Sequence, residues 1–130
     1  MLDFRKLDAY RYAVALLELV ATLVDEIPRS QQCLGEHLGR AALCLLRSLA
    51  EGSHRQPTNP AEARHCYAIA RASAFECVGL VDTLDRVRAV SGENAARTRE
   101  VLSRLVAMLS RLEAEASRDE ALPAARVLSQ

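Results

Sequence analysis

Apolar residues recur along most of the chain at intervals of three or four positions, the spacing of one face of an α-helix. No segment alternates apolar and polar residues as a half-buried strand does. The pattern therefore predicts an all-α protein. Its four helices are expected at about residues 7–26, 31–51, 60–90 and 93–116.

Capping residues predict where these helices begin and end. Ser30 is expected to cap the second helix, and Gly52 fits the left-handed position that follows a helix end. The third helix has the clearest start, with Asn59 as N-cap, Pro60 as first residue and Glu62 completing a capping box.

Four helices with short connections predict an antiparallel up-down-up-down bundle, formed as one domain over residues 1–116. The remaining residues, 117–130, include Pro123 and are expected to form a loosely held tail. A chain of 130 residues is long enough to bury one such core without a metal or a disulfide.

The first two predicted helices are apolar on more sides than a four-helix bundle can bury. At 100° per residue, the apolar arc of the first helix spans about 220°, about twice the width that a surface helix needs. Because a large exposed apolar patch marks an interface, the pattern predicts self-association. The alternative is that the C-terminal tail folds back over the patch. The predicted interface residues are Tyr12, Leu16, Leu19, Leu23, Ile27, Leu43 and Leu46.

Charge is balanced over the whole chain but not along every helix face. The 17 basic residues, all arginine except Lys6, are matched by 17 acidic residues. This balance excludes a polybasic nucleic-acid binder as a description of the whole chain. Arginines nevertheless recur every seven residues along the fourth helix, which places them in one stripe. The candidate nucleic-acid contacts in this stripe are Arg97, Arg104, Arg111 and Arg118.

Two interpretations of this stripe remain open. Arginine forks fit phosphate groups, and an oligomer would repeat the stripe around its surface. Alternatively, the stripe is an ordinary solvated face, because Glu93 and Glu100 precede two of the arginines by four residues and favour local pairing.

A narrow polar strip on the second helix is expected to be structural. Its charges alternate at spacings that allow pairing within the helix, between helices or between copies of the chain. The strip, with its expected partners on the third helix, comprises Glu36, Arg40, Arg47, Glu51, Arg71 and Glu76.

Catalytic and metal chemistry have little support in the sequence. The four cysteines form no Cys-x-x-Cys pair and are expected to act as small apolar residues in a reduced, cytoplasmic protein. Cys33 and His37 are one helical turn apart but lack further ligands, so no metal and no cofactor are expected. Ser73 and Glu76 are better explained by helix packing than by catalysis, so we expect no enzyme. The chain shows no signal peptide and no membrane span, so no membrane partner is expected.

Three segments resemble one known family. The second helix contains Gly39-Arg40-Ala41-Ala42 and then Ser48-Leu49-Ala50-Glu51-Gly52, and the third contains Ile69-Ala70 followed by Ser73 and Glu76. In the first helix Phe4, Leu7, Tyr10 and Ala13 agree, followed by Pro28. Over residues 4 to about 112 this arrangement resembles the short four-helix-bundle proteins encoded by intervening sequences within 23S rRNA genes.

The resemblance implies a homo-oligomeric ring, a pentamer, built from up-down bundles. It also implies similarity to the accessory proteins of diversity-generating retroelements, which bind nucleic acid through a basic surface. Ser48, Gly39 and Ala72 depart from the family pattern, and the neutral charge departs from the basic retroelement relatives. The expected function is a non-enzymatic oligomeric scaffold that binds RNA or DNA. The alternative is a protein-interaction or structural oligomer without nucleic-acid contact.

Overall fold

The fold consists of helices joined by short turns. The structure is a computed structural model that describes the backbone of residues 4–128 and the side chains of residues 4–122. Within that part of the chain there is no strand, which confirms the all-α prediction. The helices are α1 (Phe4–Glu26), α2 (Gln32–Arg55), α3 (Pro60–Arg86) and α4 (Gly92–Leu128), with a 3₁₀ turn over Arg29–Gln31 before α2.

Each helix packs against two others. Helix α2 contacts α1 and α3, and α4 contacts the same two helices. Along the contact of α1 with α4, Arg5 in the first turn of α1 pairs with Glu115 at 3.4 Å. At the other end of α1, the Glu26 carboxylate accepts a hydrogen bond from the Asn94 side chain at 3.1 Å. These pairs bring the beginning of each helix close to the far part of the other.

The core fills the space that the four helices enclose. Leucine and alanine supply most of it, and each fully buried leucine contributes about 2 kcal/mol through removal from water. The largest fully buried side chains are Tyr67, Leu16, Leu23, Leu38, Leu45, Leu49, Leu84, Leu102, Leu105, Leu109, Leu112 and Val81.

Helix α1 buries a different face from the expected one. Its buried residues are Ala9, Ala13, Leu16, Val20 and Leu23, and Ile27 is buried just beyond its end. The assignment of Leu16, Leu23 and Ile27 to an external interface was therefore wrong. Because α1 packs against both α2 and α4, it buries residues that the pattern had assigned to contacts between copies of the chain.

The predicted start of the third helix is confirmed. The Asn59 side-chain oxygen accepts a hydrogen bond from the Glu62 backbone N–H at 3.3 Å, and the Asn59 amide donates to the Glu62 carboxylate at 3.3 Å. Pro60 is the first helical residue. The Asn59 cap thus gives a partner to one backbone donor of the first helical turn. The predicted capping box is not formed, because the Glu62 carboxylate binds the Asn59 side chain while the Asn59 backbone N–H donates to the Arg55 carbonyl at 2.7 Å.

Two predicted ends of the second helix were wrong. Ser30 lies inside the 3₁₀ turn, and Gln31 precedes α2 without a side-chain cap. Gly52 does not end the helix, which continues to Arg55. Gly52 has no left-handed backbone conformation. Glycine is needed there because a Cβ atom would lie 2.6 Å from Cε1 of the Tyr67 ring.

The last two helices also have different ends from those expected. Helix α3 ends at Arg86, four residues early, and Arg88 takes a left-handed conformation with φ of 58°. Helix α4 continues through residue 116 to Leu128, so residues 117–128 belong to a helix. The first part of this segment is tied to the bundle, because Gln56 donates a hydrogen bond to Asp119 at 3.1 Å and Arg64 pairs with Glu120 at 2.9 Å. A loosely held tail beyond these residues stays a prediction. The predicted tail residues 129–130 lie outside the described residues.

Candidate nucleic-acid interface

The four arginines at seven-residue intervals lie on the exposed surface of α4. All four side chains are exposed. A seven-residue step corresponds to about 10.5 Å along a helix axis and a rotation of about 20°. The stripe is therefore a row of separate guanidinium groups and has no enclosed site.

The first two arginines of the stripe are engaged by neighbouring side chains. Arg97 pairs with Glu93 at 2.8 Å, and Arg104 pairs with Glu100 at 3.4 Å. Arg104 also donates a hydrogen bond to the Tyr12 hydroxyl at 2.9 Å, and its guanidinium carbon lies 5.8 Å from the centre of the Tyr12 ring. The hydrogen bond with Tyr12 raises the pKa of Arg104 above its usual value, so this group stays charged.

The other two arginines have no acidic partner within the described part of the chain. Arg111 donates a weak hydrogen bond of 3.4 Å to the Ala107 carbonyl one turn earlier. Arg118 borders a surface depression beside Leu122. Guanidinium groups without a carboxylate partner can bind phosphate without first breaking an ion pair.

A shallow groove of about 380 Å³ separates α1 from α4 next to the stripe. It combines an aromatic ring, aliphatic side chains and two arginines with one glutamate, so its chemistry is mixed. Its lining residues are Tyr12, Leu19, Arg97, Glu100, Val101 and Arg104.

The polar strip of α2 is more exposed than expected. Glu36, Arg40, Arg47 and Glu51 are all exposed. Among residues 4–122 none of them forms an ion pair, so the expected pairs within the helix are absent. Pairing between copies of the chain stays a prediction.

The expected partners on α3 also behave differently. Arg71 reaches α4, where it pairs with Glu113 at 3.0 Å. Glu76 is exposed and makes no ion pair with Arg71. The prediction that Arg71 and Glu76 complete the α2 strip within one chain was therefore wrong, because the nearest carboxylate to Arg71 belongs to the facing helix.

Exposed apolar residues are present, but most differ from the predicted interface set. Of that set, Leu43 is 49% exposed, and Tyr12, Leu19 and Leu46 are half-buried. Tyr12 also binds Arg104, a role that the sequence pattern did not indicate. Large apolar residues exposed elsewhere are Phe4, Tyr10, Val24, Ile69, Phe75, Val87 and Leu122.

Phe75 is the most exposed large apolar residue of α3, with 58% of its surface accessible. The apolar pattern along the chain did not single it out, and Ile69 is exposed as well, with 38% of its surface accessible. The signal for Phe75 was its position beside Glu76, outside the periodic apolar series of the helix.

An apolar surface groove lies between the beginning of α1 and the end of α2. It has a volume of about 540 Å³ and is mainly apolar. A second groove, of about 350 Å³, lies at the opposite ends of these helices beside Gly35 and Gly39. The first groove is lined by Lys6, Leu7, Tyr10, Leu49, Ala50, Ser53, His54 and Pro57.

The cysteines differ in exposure. Cys66 and Cys77 are buried, Cys44 is half-buried and Cys33 is exposed. Burial raises the pKa of the Cys77 thiol to about 12, and nearby Glu76 and Cys44 add to the shift. Burial also raises the pKa of Cys66. Both thiols therefore stay protonated at neutral pH and are poor nucleophiles.

The described residues offer neither a metal cluster nor a membrane-spanning helix. In residues 4–122, no three His, Cys, Asp or Glu side chains are grouped in a way that would hold a metal ion. None of the four helices, as far as they are described, combines the length and apolar character needed to cross a bilayer.

The chain is similar to a known protein family. The family model described as 23S rRNA-intervening sequence protein matches residues 5–111. The match covers all of α2 and α3, nearly all of α1, and α4 as far as Arg111. No curated protein sequence matches the chain significantly.

Proposed function

The chain belongs to the 23S rRNA-intervening sequence protein family, and from this membership we propose that it is a non-enzymatic oligomeric scaffold that binds RNA. The exposed arginine stripe of α4 is the proposed contact surface, with Arg104, Arg111 and Arg118 as its main contacts. The proposal places the protein in the cytoplasm, consistent with its four free cysteines.

One observation carries this proposal. Arg111 and Arg118 are exposed and have no carboxylate partner among residues 4–122. Beside them, Arg104 is held by Tyr12, which fixes the direction of its guanidinium group. One oriented guanidinium group followed by two that form no ion pair within residues 4–122 favours contacts with the repeating phosphates of a nucleic-acid strand.

Self-association strengthens such a surface. The proposed unit is an up-down-up-down bundle, supported by the pairs that join opposite ends of α1 and α4. The proposed assembly is a ring of five copies, as the family resemblance implies, with contacts through outward apolar residues such as Tyr10, Val24 and Leu43. Repeated stripes on one particle would increase affinity for a long RNA through multivalency.

A second candidate is an oligomer that contacts only proteins. Two observations favour it: the net charge is zero, and Arg97 and Arg104 each have a glutamate one turn away. Exposed aromatic residues such as Phe75 also suit a protein partner.

Fluorescence anisotropy with a labelled single-stranded RNA tests the proposal directly. The wild type is expected to bind at 50 mM salt and to weaken as the salt concentration rises. Arg104→Glu combined with Arg111→Glu is expected to abolish the binding. The matched control is Arg40→Glu combined with Arg47→Glu, which makes the same charge change on the exposed strip of α2.

The outcomes separate the candidates. Binding that is lost in the α4 variant and retained in the α2 variant supports the proposed surface. Equal loss in both variants would show a response to total charge and contradict the α4 surface. No binding by the wild type at 50 mM salt would contradict the RNA function and favour the protein-only oligomer.

A further inference from the structure

The turn between α3 and α4 contains a backbone conformation that its residue does not favour. Arg88 has a φ of 58° and is the one non-glycine residue with positive φ in the described chain. The hydrogen bonds around it are those of a helix end: Ala89 N–H donates to the Leu84 carbonyl at 2.9 Å, and Arg88 N–H donates to the Asp85 carbonyl at 3.0 Å. Glycine is the usual residue at this left-handed position because a Cβ atom is strained there.

The turn is held firmly on both sides. Ala89 and Val90 are buried in the core. Ser91 then caps the start of α4, with its hydroxyl accepting from the Asn94 N–H at 3.2 Å. Its own N–H donates to the Glu26 carboxylate at 3.2 Å. Side chains on this turn are therefore presented from a fixed backbone.

Two arginines project from the turn without a partner. Arg86 and Arg88 are both exposed, and neither forms a salt bridge or a side-chain hydrogen bond with any residue from 4 to 122. Val87 between them is 48% exposed. No contact among residues 4–122 thus explains why a strained position carries arginine in place of glycine.

The neighbouring acidic residues are already engaged by other groups. Asp82 and Asp85 both pair with Arg99, at 3.5 and 2.7 Å. Glu93 pairs with Arg97. Glu26 accepts from the Ser91 backbone and from the Asn94 side chain.

Asp25, the remaining acid at the end of α1, pairs with neither arginine of the turn. Neither guanidinium group of the turn is therefore held in a direct ion pair by these carboxylates. A nearby anion would meet two guanidinium groups that have no competing ion pair.

We propose that Arg86 and Arg88 form a second phosphate contact of this protein, which binds the backbone of a single-stranded RNA at the α3–α4 turn. The contact rests on the proposed RNA function and lies outside the α4 stripe. Planar guanidinium groups match phosphate oxygens through two parallel hydrogen bonds. The strained backbone at Arg88 is retained because it directs this group at the ligand.

The decisive variant is Arg88→Gly, because its expected effect on the stability of the fold is opposite in sign to its expected effect on RNA affinity. Glycine relieves the left-handed strain, so the melting temperature is expected to rise by about 3 °C. Loss of one phosphate contact is expected to lower RNA affinity about fourfold at 0.15 M salt and to reduce the salt slope by about 0.7 for each copy engaged. Arg86→Gln tests the second guanidinium without touching the strained position, with an equal expected loss of affinity.

Arg11→Gln is the matched control, because Arg11 on α1 is also exposed and forms no ion pair within residues 4–122. It is expected to bind like the wild type. Unchanged affinity in both turn variants, or an equal loss in Arg11→Gln, would overturn the second contact while the RNA function stands. A wild type that does not bind this RNA overturns both.

Discussion

The aromatic ring of Tyr67 lies directly against the backbone of Gly52, so close that a Cβ atom on Gly52 would be 2.6 Å from Cε1 and 2.9 Å from Cδ1. Tyr67 is fully buried, and its hydroxyl donates a 2.7 Å hydrogen bond to Gln56. The ring therefore has little freedom to move away. This contact fixes how closely α2 and α3 approach each other at one end of the bundle.

Gly52→Ala is expected to lower the free energy of unfolding by about 2 kcal/mol, because the added methyl group overpacks a rigid contact. Urea denaturation followed by circular dichroism measures the change. Gly39→Ala is the control, since it adds the same methyl group to the same helix where nothing lies within 4 Å. It is expected to raise stability by about 0.5–1 kcal/mol through helix propensity. Equal effects in the two variants would contradict the close contact.

Tyr67→Phe is expected to lower stability by about 1–2 kcal/mol, because the buried Gln56 oxygen loses its hydrogen-bond donor. A double-mutant cycle with Gln56→Leu isolates this interaction from the effects of each change alone. A coupling energy near zero would show that the Tyr67–Gln56 bond does not stabilise the fold.

Cys77 is expected to resist alkylation in the native protein. With a pKa of about 12 against an ordinary value of 9.0, its thiolate fraction at pH 8 is about a thousandfold smaller in the native state than in the unfolded chain. Iodoacetamide labelling followed by mass spectrometry compares native and unfolded protein, with exposed Cys33 as the control for reagent access. Equally rapid labelling of Cys77 in both states would contradict its burial.

The same shift gives a pH dependence of stability. Below about pH 9 the thiol is protonated in both states and has no effect. Between about pH 9 and 12 the unfolded chain loses the proton while the native state keeps it, so stability falls as the pH rises. Cys77→Ala is expected to reduce this alkaline loss, which urea denaturation at pH 8 and pH 10 would measure. If the pH dependence of stability is unchanged in the variant, titratable groups other than Cys77 cause the loss of stability at alkaline pH.

The outward apolar residues of α1 and α2 are expected to hold copies of the chain together. Light scattering after size exclusion is expected to give a mass several times the 14.3 kDa of one chain. Val24→Glu combined with Leu43→Glu is expected to give single chains, because both side chains are largely exposed and a buried charge would oppose association. Ala107→Glu, on the exposed side of α4, is the control and should leave the mass unchanged. A wild-type mass of one chain at micromolar concentration would contradict the assembly.

Features of the fold that depend on contacts between residues close in the sequence could be predicted from the sequence. The number of helices followed from apolar spacing, and the start of α3 followed from Asn59 and Glu62, which interact across three positions. The ion pairs of Arg97 and Arg104 with glutamates four residues earlier were also anticipated as an alternative.

The remaining features depend on contacts that a pattern along one helix does not encode. Helix α1 is apolar around most of its circumference, so its periodicity alone could not select the face that packs inward. The position of Gly52 depends on Tyr67, 15 residues later, and the extension of α4 is held by Gln56 and Asp119, which are 63 residues apart. The partner of Arg104 was missed for the same reason, because Tyr12 is 92 residues away.

The distribution of short-range and long-range contacts has a consequence for synthesis on the ribosome. Helices α2 and α3 are joined by a short connection with its own cap, and Tyr67 meets Gln56 only 11 residues away. This hairpin can form as soon as it emerges from the exit tunnel. Of these four helices α1 is synthesised first, and its α2-facing side can be covered early. Its other side must wait for α4, since Arg5 and Glu115 are separated by 110 residues. That side of α1 therefore stays uncovered longest, and it is the natural place for a chaperone to bind.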